Sequence, residues 1–92
     1  MRISDKELNL IKNTIQKHIK DAKIYLFGSI IDDNKKGGDV DIFIITNQKV
    51  DLKIKSKIKF FLEENLLREV DLVFHKDFHR LIEQEALKGI LI

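Results

Sequence analysis

Three short apolar runs constrain the fold of this chain more than any other feature of its 92 residues. They are Lys23–Phe27, Val40–Ile45 and Val70–Phe74, and each is rich in β-branched or aromatic side chains, as is typical of strands. Between them lie longer stretches whose apolar residues recur at helical spacing. We therefore predict an α/β (α+β) fold in which a small sheet packs in two layers against helices. The strands are too short for a doubly wound dinucleotide-binding fold.

The helical stretches have recognisable starts. Ser4 and Glu7 form a capping-box pattern, which predicts a first helix over about residues 5 to 21. A short helical turn is expected after Ser29, over residues 30 to 33. Asp51 is the predicted start of a second long helix. The predicted inner stripe of that helix comprises Ile54, Ile58, Phe61, Leu62 and Leu66.

The C-terminal part of the chain is expected to form a last helix from about Asp77, with Gly89 as its C-cap. The apolar tail Ile90–Ile92 then either pairs as an edge strand or lies in an oligomer interface. This tail and three aromatic residues are assigned mostly to the core, the aromatic residues being Phe60, Phe61 and Phe78.

Composition excludes several classes of protein. The absence of cysteine rules out disulfides and thiolate metal sites and is compatible with a reducing cytoplasm. The longest apolar run is too short to cross a bilayer, and the first residues lack the apolar segment of a signal peptide. A net charge of +2 does not identify a nucleic-acid binder, and the lysines between residues 49 and 59 suit the solvent face of a helix. We expect one cytoplasmic domain over residues 1–92.

Acidic side chains lie on two of the predicted strands. Alternate residues of a strand share a face, so Asp39 and Asp41 point the same way. Asp71 lies inside the next strand, on the face opposite its apolar neighbours Val70 and Leu72. Carboxylates crowded on one face need a compensating charge, and Mg²⁺ binds a few carboxylates together with phosphate oxygens. The pattern therefore predicts a metal site, although a solvated strand edge is the more common setting for any one such acid.

Gly28 and Ser29 end the first predicted strand. Gly28 would let the backbone approach a phosphate closely, and the amide and hydroxyl of Ser29 would donate to that phosphate at the start of a helical turn. Gly-Ser pairs are common, so the pair is weak evidence alone. Beside a metal site, however, it predicts two-metal chemistry, in which one ion activates a hydroxyl and the other holds the leaving pyrophosphate.

Taken together, these motifs resemble a known family. The run Phe27–Ser29, then nine residues, then Asp39–Ile42, with a later acid in Val70–Phe74, is similar to the signature of the DNA polymerase β superfamily of nucleotidyltransferases. The length of the chain resembles that of the smallest members, the minimal nucleotidyltransferases. The resemblance covers nearly the whole chain and implies a small mixed sheet with an open face that holds the nucleotide.

The resemblance also implies a role for each motif residue. Asp39, Asp41 and Asp71 would be the catalytic and metal-binding residues for two Mg²⁺ ions. Asp71 would in addition help to deprotonate the acceptor hydroxyl. Gly28 and Ser29 would bind the triphosphate of ATP. The implied reaction transfers AMP to a hydroxyl and releases pyrophosphate.

The resemblance, together with the size of the chain, also implies a partner protein. Members of this size are often encoded beside a HEPN-domain toxin, and the resemblance implies a type VII-like antitoxin that adenylylates a tyrosine of that toxin. Two other hypotheses stay open. One is a nucleotide-binding antitoxin or regulatory subunit that acts by complex formation, with weak or no catalysis. The other is an adenylyltransferase that acts on a nucleic acid or a small molecule.

Residues 30–33 depart from the family pattern. The family often has a basic turn after the Gly-Ser pair, whereas this chain has Ile30, Ile31 and two aspartates. Lys35 or Lys36 would be the alternative source of positive charge near the triphosphate. His75, four residues after Asp71, is the histidine best placed for a role near the acceptor.

Overall fold

A computed structural model describes residues 3–32, 34 and 38–92. In chain order the described residues form helix α1 (Asp5–His18), strand β1 (Lys23–Phe27), a 3₁₀ helix (Gly28–Ile31), strand β2 (Val40–Ile45), helix α2 (Leu52–Leu66), strand β3 (Val70–Phe74), helix α3 (Leu81–Leu87) and strand β4 (Ile90–Leu91). The predicted bounds of the first three strands are therefore confirmed. The capping box at Ser4 and the N-cap at Asp51 are present as well.

The described strands form a four-stranded sheet in the order β3-β2-β1-β4. Strand β1 runs antiparallel to both β2 and β4, while β2 and β3 are parallel. The expected small mixed sheet is thus confirmed. The tail pairs as an edge strand, because Leu26 of β1 lies opposite Ile90 of β4. Its assignment to the core is wrong for Ile90 and Leu91, which are 40% and 55% exposed at this edge of the sheet.

The two faces of the sheet bury different sets of side chains. On one face, Val40, Ile42 and Ile44 of β2 are fully buried against apolar residues of α1 and α2. On the other face, Phe43 is buried with Phe27 of β1 and Ala86 of α3. This alternation confirms the predicted period of two, and it assigns Asp41 and Asp71 to the face of Phe43.

Two helices are shorter than the sequence predicts. Helix α1 ends at His18 rather than near residue 21, because Ile19 adopts an extended conformation and is fully buried. Helix α3 begins at Leu81 rather than near Asp77. Residues 77–80 instead form a turn in which the Arg80 amide donates to the backbone oxygen of Asp77. The carboxylate of Glu83 in α3 accepts hydrogen bonds from the amides of Lys76 and Asp77 at the start of this segment.

Gly89 follows the helix for a different reason from the one predicted. The C-cap of α3 is Lys88, and Gly89 does not adopt the left-handed conformation of a capping glycine. A Cβ atom at Gly89 would lie 2.1 Å from the backbone oxygen of Leu26. Glycine is required here because α3 and β4 pass so close to β1.

The predicted burial of three aromatic residues is wrong. Phe60 is 66% exposed, and Phe61 and Phe78 are each 46% exposed. In α2 the buried stripe is Ile58, Leu62 and Leu66, an i, i+4, i+8 row, and Phe61 lies about 100° around the helix from Leu62. None of the helices in the described part of the chain has the length and apolarity that a bilayer crossing requires.

Candidate active site

Asp41 and Asp71 lie side by side on the open part of the sheet. They are register partners in the parallel pair β2–β3, and neighbouring strands are about 4.8 Å apart. Asp41 is half-buried, whereas Asp71 is exposed. Burial raises the pKa of Asp41 above its usual range, and the negative charges of Asp71 and Asp39 raise it further. The site therefore concentrates negative charge that only a bound cation or a proton can offset.

Gly28 lies directly against this pair. Phe27, the last residue of β1, is the register partner of Asp41, and the chain turns at Gly28 with a φ of +77°. A Cβ atom at Gly28 would lie 2.3 Å from Oδ2 of Asp41. Only glycine satisfies both conditions, the left-handed backbone and the contact with a carboxylate. The Gly28 turn thus starts a 3₁₀ helix beside the acids, with Ser29 as the next residue.

Asp39 lies just before strand β2 and is not part of the sheet, unlike Asp41 and Asp71. It is exposed and influences Asp41 through its charge. No group of three or more carboxylate or histidine side chains is arranged to hold a metal ion among the residues that the structure describes. Two carboxylates beside an open backbone turn do fit a hard divalent cation, which takes oxygen ligands from few residues and completes its shell with phosphate or water. The metal and nucleotide roles of these residues stay predictions.

The turn after the Gly-Ser pair is apolar for a structural reason. Ile30 is fully buried, and Ile31 packs on the same core as α1 and α2. A basic turn of the kind that the family often has could not occupy this position without burying charge. The proposed substitutes, Lys35 and Lys36, lie outside the described residues, as does Asp33.

Glu83 is a feature that sequence reasoning missed. Its side chain is fully buried, and its carboxylate accepts hydrogen bonds from Nδ1 of His75 (2.7 Å), the backbone amides of Lys76 (2.8 Å) and Asp77 (2.9 Å), and Nη1 of Arg80 (3.1 Å). Burial alone would raise the pKa of Glu83, but these bonds outweigh it and hold the pKa at about 2. Glu83 thereby fixes the segment that follows β3.

The sequence did contain a signal for Glu83. It lies three residues before the buried Ala86, so it shares the inner face of α3 with an apolar residue. A carboxylate at such a position needs several donors. His75 is one of them, and its ring also stacks on Phe78 with ring centroids 3.9 Å apart. The structure therefore gives His75 a role in holding the turn after β3.

Comparisons with known proteins agree with this arrangement. The chain is similar to the MNT antitoxin complex with a tri-AMPylated Shewanella oneidensis HEPN toxin, at a TM-score of 0.75 and 23% identity, over 95% of this chain and 68% of that one. It is also similar to the toxin–antitoxin complex MntA-HepT, at a TM-score of 0.71 and 21% identity, over 94% and 68%. A variant MntA complex with two aspartate-to-glutamate substitutions matches at a TM-score of 0.61 and 26% identity, over 74% and 55%.

These likenesses identify the fold, and a search of curated protein sequences gave no significant match. The family is shown by a separate comparison. The model of the family described as the nucleotidyltransferase domain matches residues 8–92, which include the Gly28 turn and all three aspartates. The match spans nearly the whole chain, and the fold and the clustered carboxylates of the chain agree with it. This chain therefore belongs to the nucleotidyltransferase domain family.

Proposed function

We propose that this protein is a minimal nucleotidyltransferase antitoxin, formed by residues 1–92 as one domain, that transfers AMP from Mg-ATP to a tyrosine hydroxyl of a HEPN-domain toxin. The proposal depends above all on the contact between the Gly28 turn and Asp41, with Asp71 beside it. An open backbone turn for phosphate and carboxylates for a cation are the two parts that nucleotidyl transfer needs next to each other.

The comparisons support the choice of donor and acceptor. In one similar structure an MNT antitoxin is in complex with a HEPN toxin that carries three AMP groups. In another, two aspartates of a toxin–antitoxin complex are changed to glutamate. Those facts belong to the relatives, and they favour AMP as the transferred group and a HEPN protein as the acceptor for this chain.

The divalent cations would be held by Asp41 and Asp71, with Asp39 as the third ligand. When bound, two Mg²⁺ ions would offset the charge on the carboxylates and on the triphosphate and would act as Lewis acids. Asp41 and Asp71 are already neighbours across β2 and β3. Asp39 is exposed at the entry to β2, so a cation from solvent can reach its carboxylate.

The remaining steps use groups of the protein and its substrates. The backbone at Gly28 and Ser29 would hold the β- and γ-phosphates and so orient the α-phosphorus. The acceptor oxygen attacks that phosphorus, and its proton passes to the carboxylate of Asp71. The bond between the α-phosphorus and the bridging oxygen breaks, and pyrophosphate leaves. One phosphoester bond forms as one phosphoanhydride bond is lost.

The test combines the protein with a HEPN-domain protein from the same organism, Mg²⁺ and ATP labelled at the α-phosphate. We expect label on the HEPN protein with the wild type, and at least about 100-fold slower labelling with Asp41→Asn or Asp39→Asn. Glu64→Gln, at an exposed position of α2, is the matched control and should label at the wild-type rate. Equal labelling by the aspartate variants would refute the assigned site.

A binding antitoxin is the second candidate, and one observation favours it. The turn that is often basic in the family is here part of the apolar core, through the buried Ile30. Less positive charge near the triphosphate would slow transfer. A tight complex with the HEPN protein that forms without label, and is unchanged by Asp41→Asn, would favour this candidate over the enzyme.

A further inference from the structure

Two phenylalanines lie exposed on the outer surface of helix α2. Phe60 and Phe61 both face solvent, although aromatic side chains are among those that contribute most to cores and interfaces when buried. They line an open hollow of about 500 Å³ together with four polar residues, Lys53, Ser56, Lys57 and Glu64. All six residues are exposed, and we call them the α2 patch. The described part of the chain therefore leaves this aromatic surface uncovered.

The α2 patch faces away from the core. The buried stripe of this helix is Ile58, Leu62 and Leu66. Four members of the patch recur at spacings of four, three and four residues: Lys53, Lys57, Phe60 and Glu64. At about 100° per residue, this row lies on the side of the helix opposite Leu62. Such spacing is that of the seam along which one helix packs on another.

The charges at the two ends of the α2 patch are unfavourable for a helix on its own. Lys53 lies in the first turn of α2 and Glu64 in the last, whereas the helix dipole favours acids at the N-terminus and bases at the C-terminus. Within the residues that the structure describes, neither side chain forms an ion pair, and the same is true of Lys57. Each end of the patch would therefore be stabilised by an opposite charge from another molecule.

A second copy of α2 that runs antiparallel to the first supplies those charges. With a two-fold axis between residues 58 and 59, Lys53 of each copy faces Glu64 of the other, and Lys57 faces Phe60. The contact then has an ion pair at each end and cation–π contacts near its centre. A parallel arrangement would instead place like charges opposite each other at both ends, and their repulsion disfavours it.

We propose that two copies of this chain associate through their α2 patches in an antiparallel, two-fold symmetric contact. Phe61 of each copy would lie against Ser56 of the other, whose small side chain leaves room for the ring. Helix α2 has 15 residues and is about 22 Å long, so the contact buries less than the roughly 1,200 Å² of a stable interface. We therefore expect a weak dimer, with a Kd of about 10–100 µM.

A second copy suits the α2 patch better than a partner of uniform charge, because the patch has cations at one end and a carboxylate at the other. The small net charge of +2 also keeps long-range repulsion between copies weak. Helix α2 packs on the sheet face of Val40 and Ile42, whereas Asp41 and Asp71 lie on the opposite face. Dimerisation through α2 would thus leave both candidate sites open, and it does not depend on AMP transfer.

Sedimentation equilibrium of the full chain measures the self-association. We expect the wild type to dimerise with a Kd of about 10–100 µM at low ionic strength. Lys53→Glu and Glu64→Lys should each weaken the dimer by at least about 10-fold, because each places like charges opposite each other at both ends. An equimolar mixture of these two variants should associate about as tightly as the wild type, since opposite charges then face each other again.

Two further variants complete the test. Phe60→Ser should weaken the dimer by at least about 10-fold, because a central aromatic contact is lost. Its far-UV circular dichroism should match that of the wild type, since Phe60 is exposed in the single chain. The matched control is Lys23→Glu, the same charge reversal at an exposed position of β1 on the sheet face of Phe27. This control should dimerise as the wild type does.

Three results would overturn the proposal: a wild type that stays monomeric up to about 1 mM, a dimer that Phe60→Ser does not weaken, or a mixture of the two charge variants that associates no more tightly than either alone. A monomeric wild type whose binding to a HEPN-domain protein is lost in Phe60→Ser would also overturn it and would assign the α2 patch to that protein. A wild type that dimerises as expected but transfers no AMP would contradict only the proposed function.

Discussion

The backbone of Gly28 lies against the side chain of Asp41. A Cβ atom on Gly28 would be only 2.3 Å from Oδ2 of Asp41. We expect Gly28→Ala to lose about 1–2 kcal/mol of stability through its φ of +77°. The displaced Asp41 carboxylate should lower the transfer rate by about 100-fold. Urea denaturation and the labelling assay measure the two effects.

Gly38→Ala is the matched control for this variant. A Cβ atom at Gly38 would meet no heavy atom within 4 Å. Its unfolding free energy should lie within about 0.5 kcal/mol of the wild type. If the two alanine variants behaved alike, the contact between the Gly28 turn and Asp41 would not be needed.

Asp41 is expected to lower the unfolding free energy of the metal-free protein, although the proposed reaction requires it. Its burial and the charges of Asp71 and Asp39 disfavour its ionised form. We therefore expect Asp41→Asn to raise the unfolding free energy by about 0.5–1 kcal/mol without metal, a gain of roughly 2–8 °C in Tm. Differential scanning calorimetry measures this gain, and the same variant should be inactive. A lower Tm would show that Asp41 also makes stabilising contacts.

Substitution of Asp71 should reduce the transfer rate while leaving the affinity for ATP nearly unchanged. This residue is exposed on the edge strand β3, one strand further from the Gly28 turn than Asp41 is. We expect Asp71→Asn to reduce the transfer rate by at least about 100-fold, because the proton acceptor is lost. The Kd for ATP, measured by calorimetry, should change by less than about 5-fold. Wild-type turnover in this variant would remove Asp71 from the site.

Glu83 should make the stability of the protein sensitive to acid. Its pKa is about 2 in the folded state against an ordinary value of 4.5, so the folded state favours the ionised carboxylate. The resulting stabilisation is present above about pH 4.5 and is lost as the pH falls from there toward about 2. Glu83→Gln should therefore be less stable than the wild type by about 2–3 kcal/mol at pH 7. That difference should shrink below about pH 4.5.

Urea denaturation of the wild type and Glu83→Gln between pH 7 and pH 3 measures that difference. Glu85→Gln is the matched control, since Glu85 is exposed and forms a surface ion pair with Lys88, the C-cap residue of α3. Its unfolding free energy should differ from that of the wild type by less than about 0.5 kcal/mol throughout. A constant difference for Glu83→Gln across this pH range would contradict the assigned hydrogen bonds.

The bounds of β1, β2 and β3 followed from the sequence because each strand is a short apolar run between polar or glycine-containing segments. The period of two of β2 predicted which of its residues share a face. The structure then shows that Val40 lies in the main core and Phe43 in the smaller cluster on the opposite side. The sequence also predicted that Asp41 and Asp71 lie on one face of the sheet, and the register of β2 and β3 makes them neighbours there. Their catalytic and metal-binding roles stay predictions.

Tertiary structure decided what depends on neighbours far along the chain. It left Phe60 and Phe61 exposed, because the stripe at Ile58 and Leu62 already fills the contact with the sheet. It buried Glu83, because the segment after β3 offers that carboxylate its donors. Local patterns determine the strands and the spacing of the acids, since those are set by covalent geometry and hydrophobic periodicity. Burial of charge depends on which surfaces the packed elements bring together, and no local pattern contains that information.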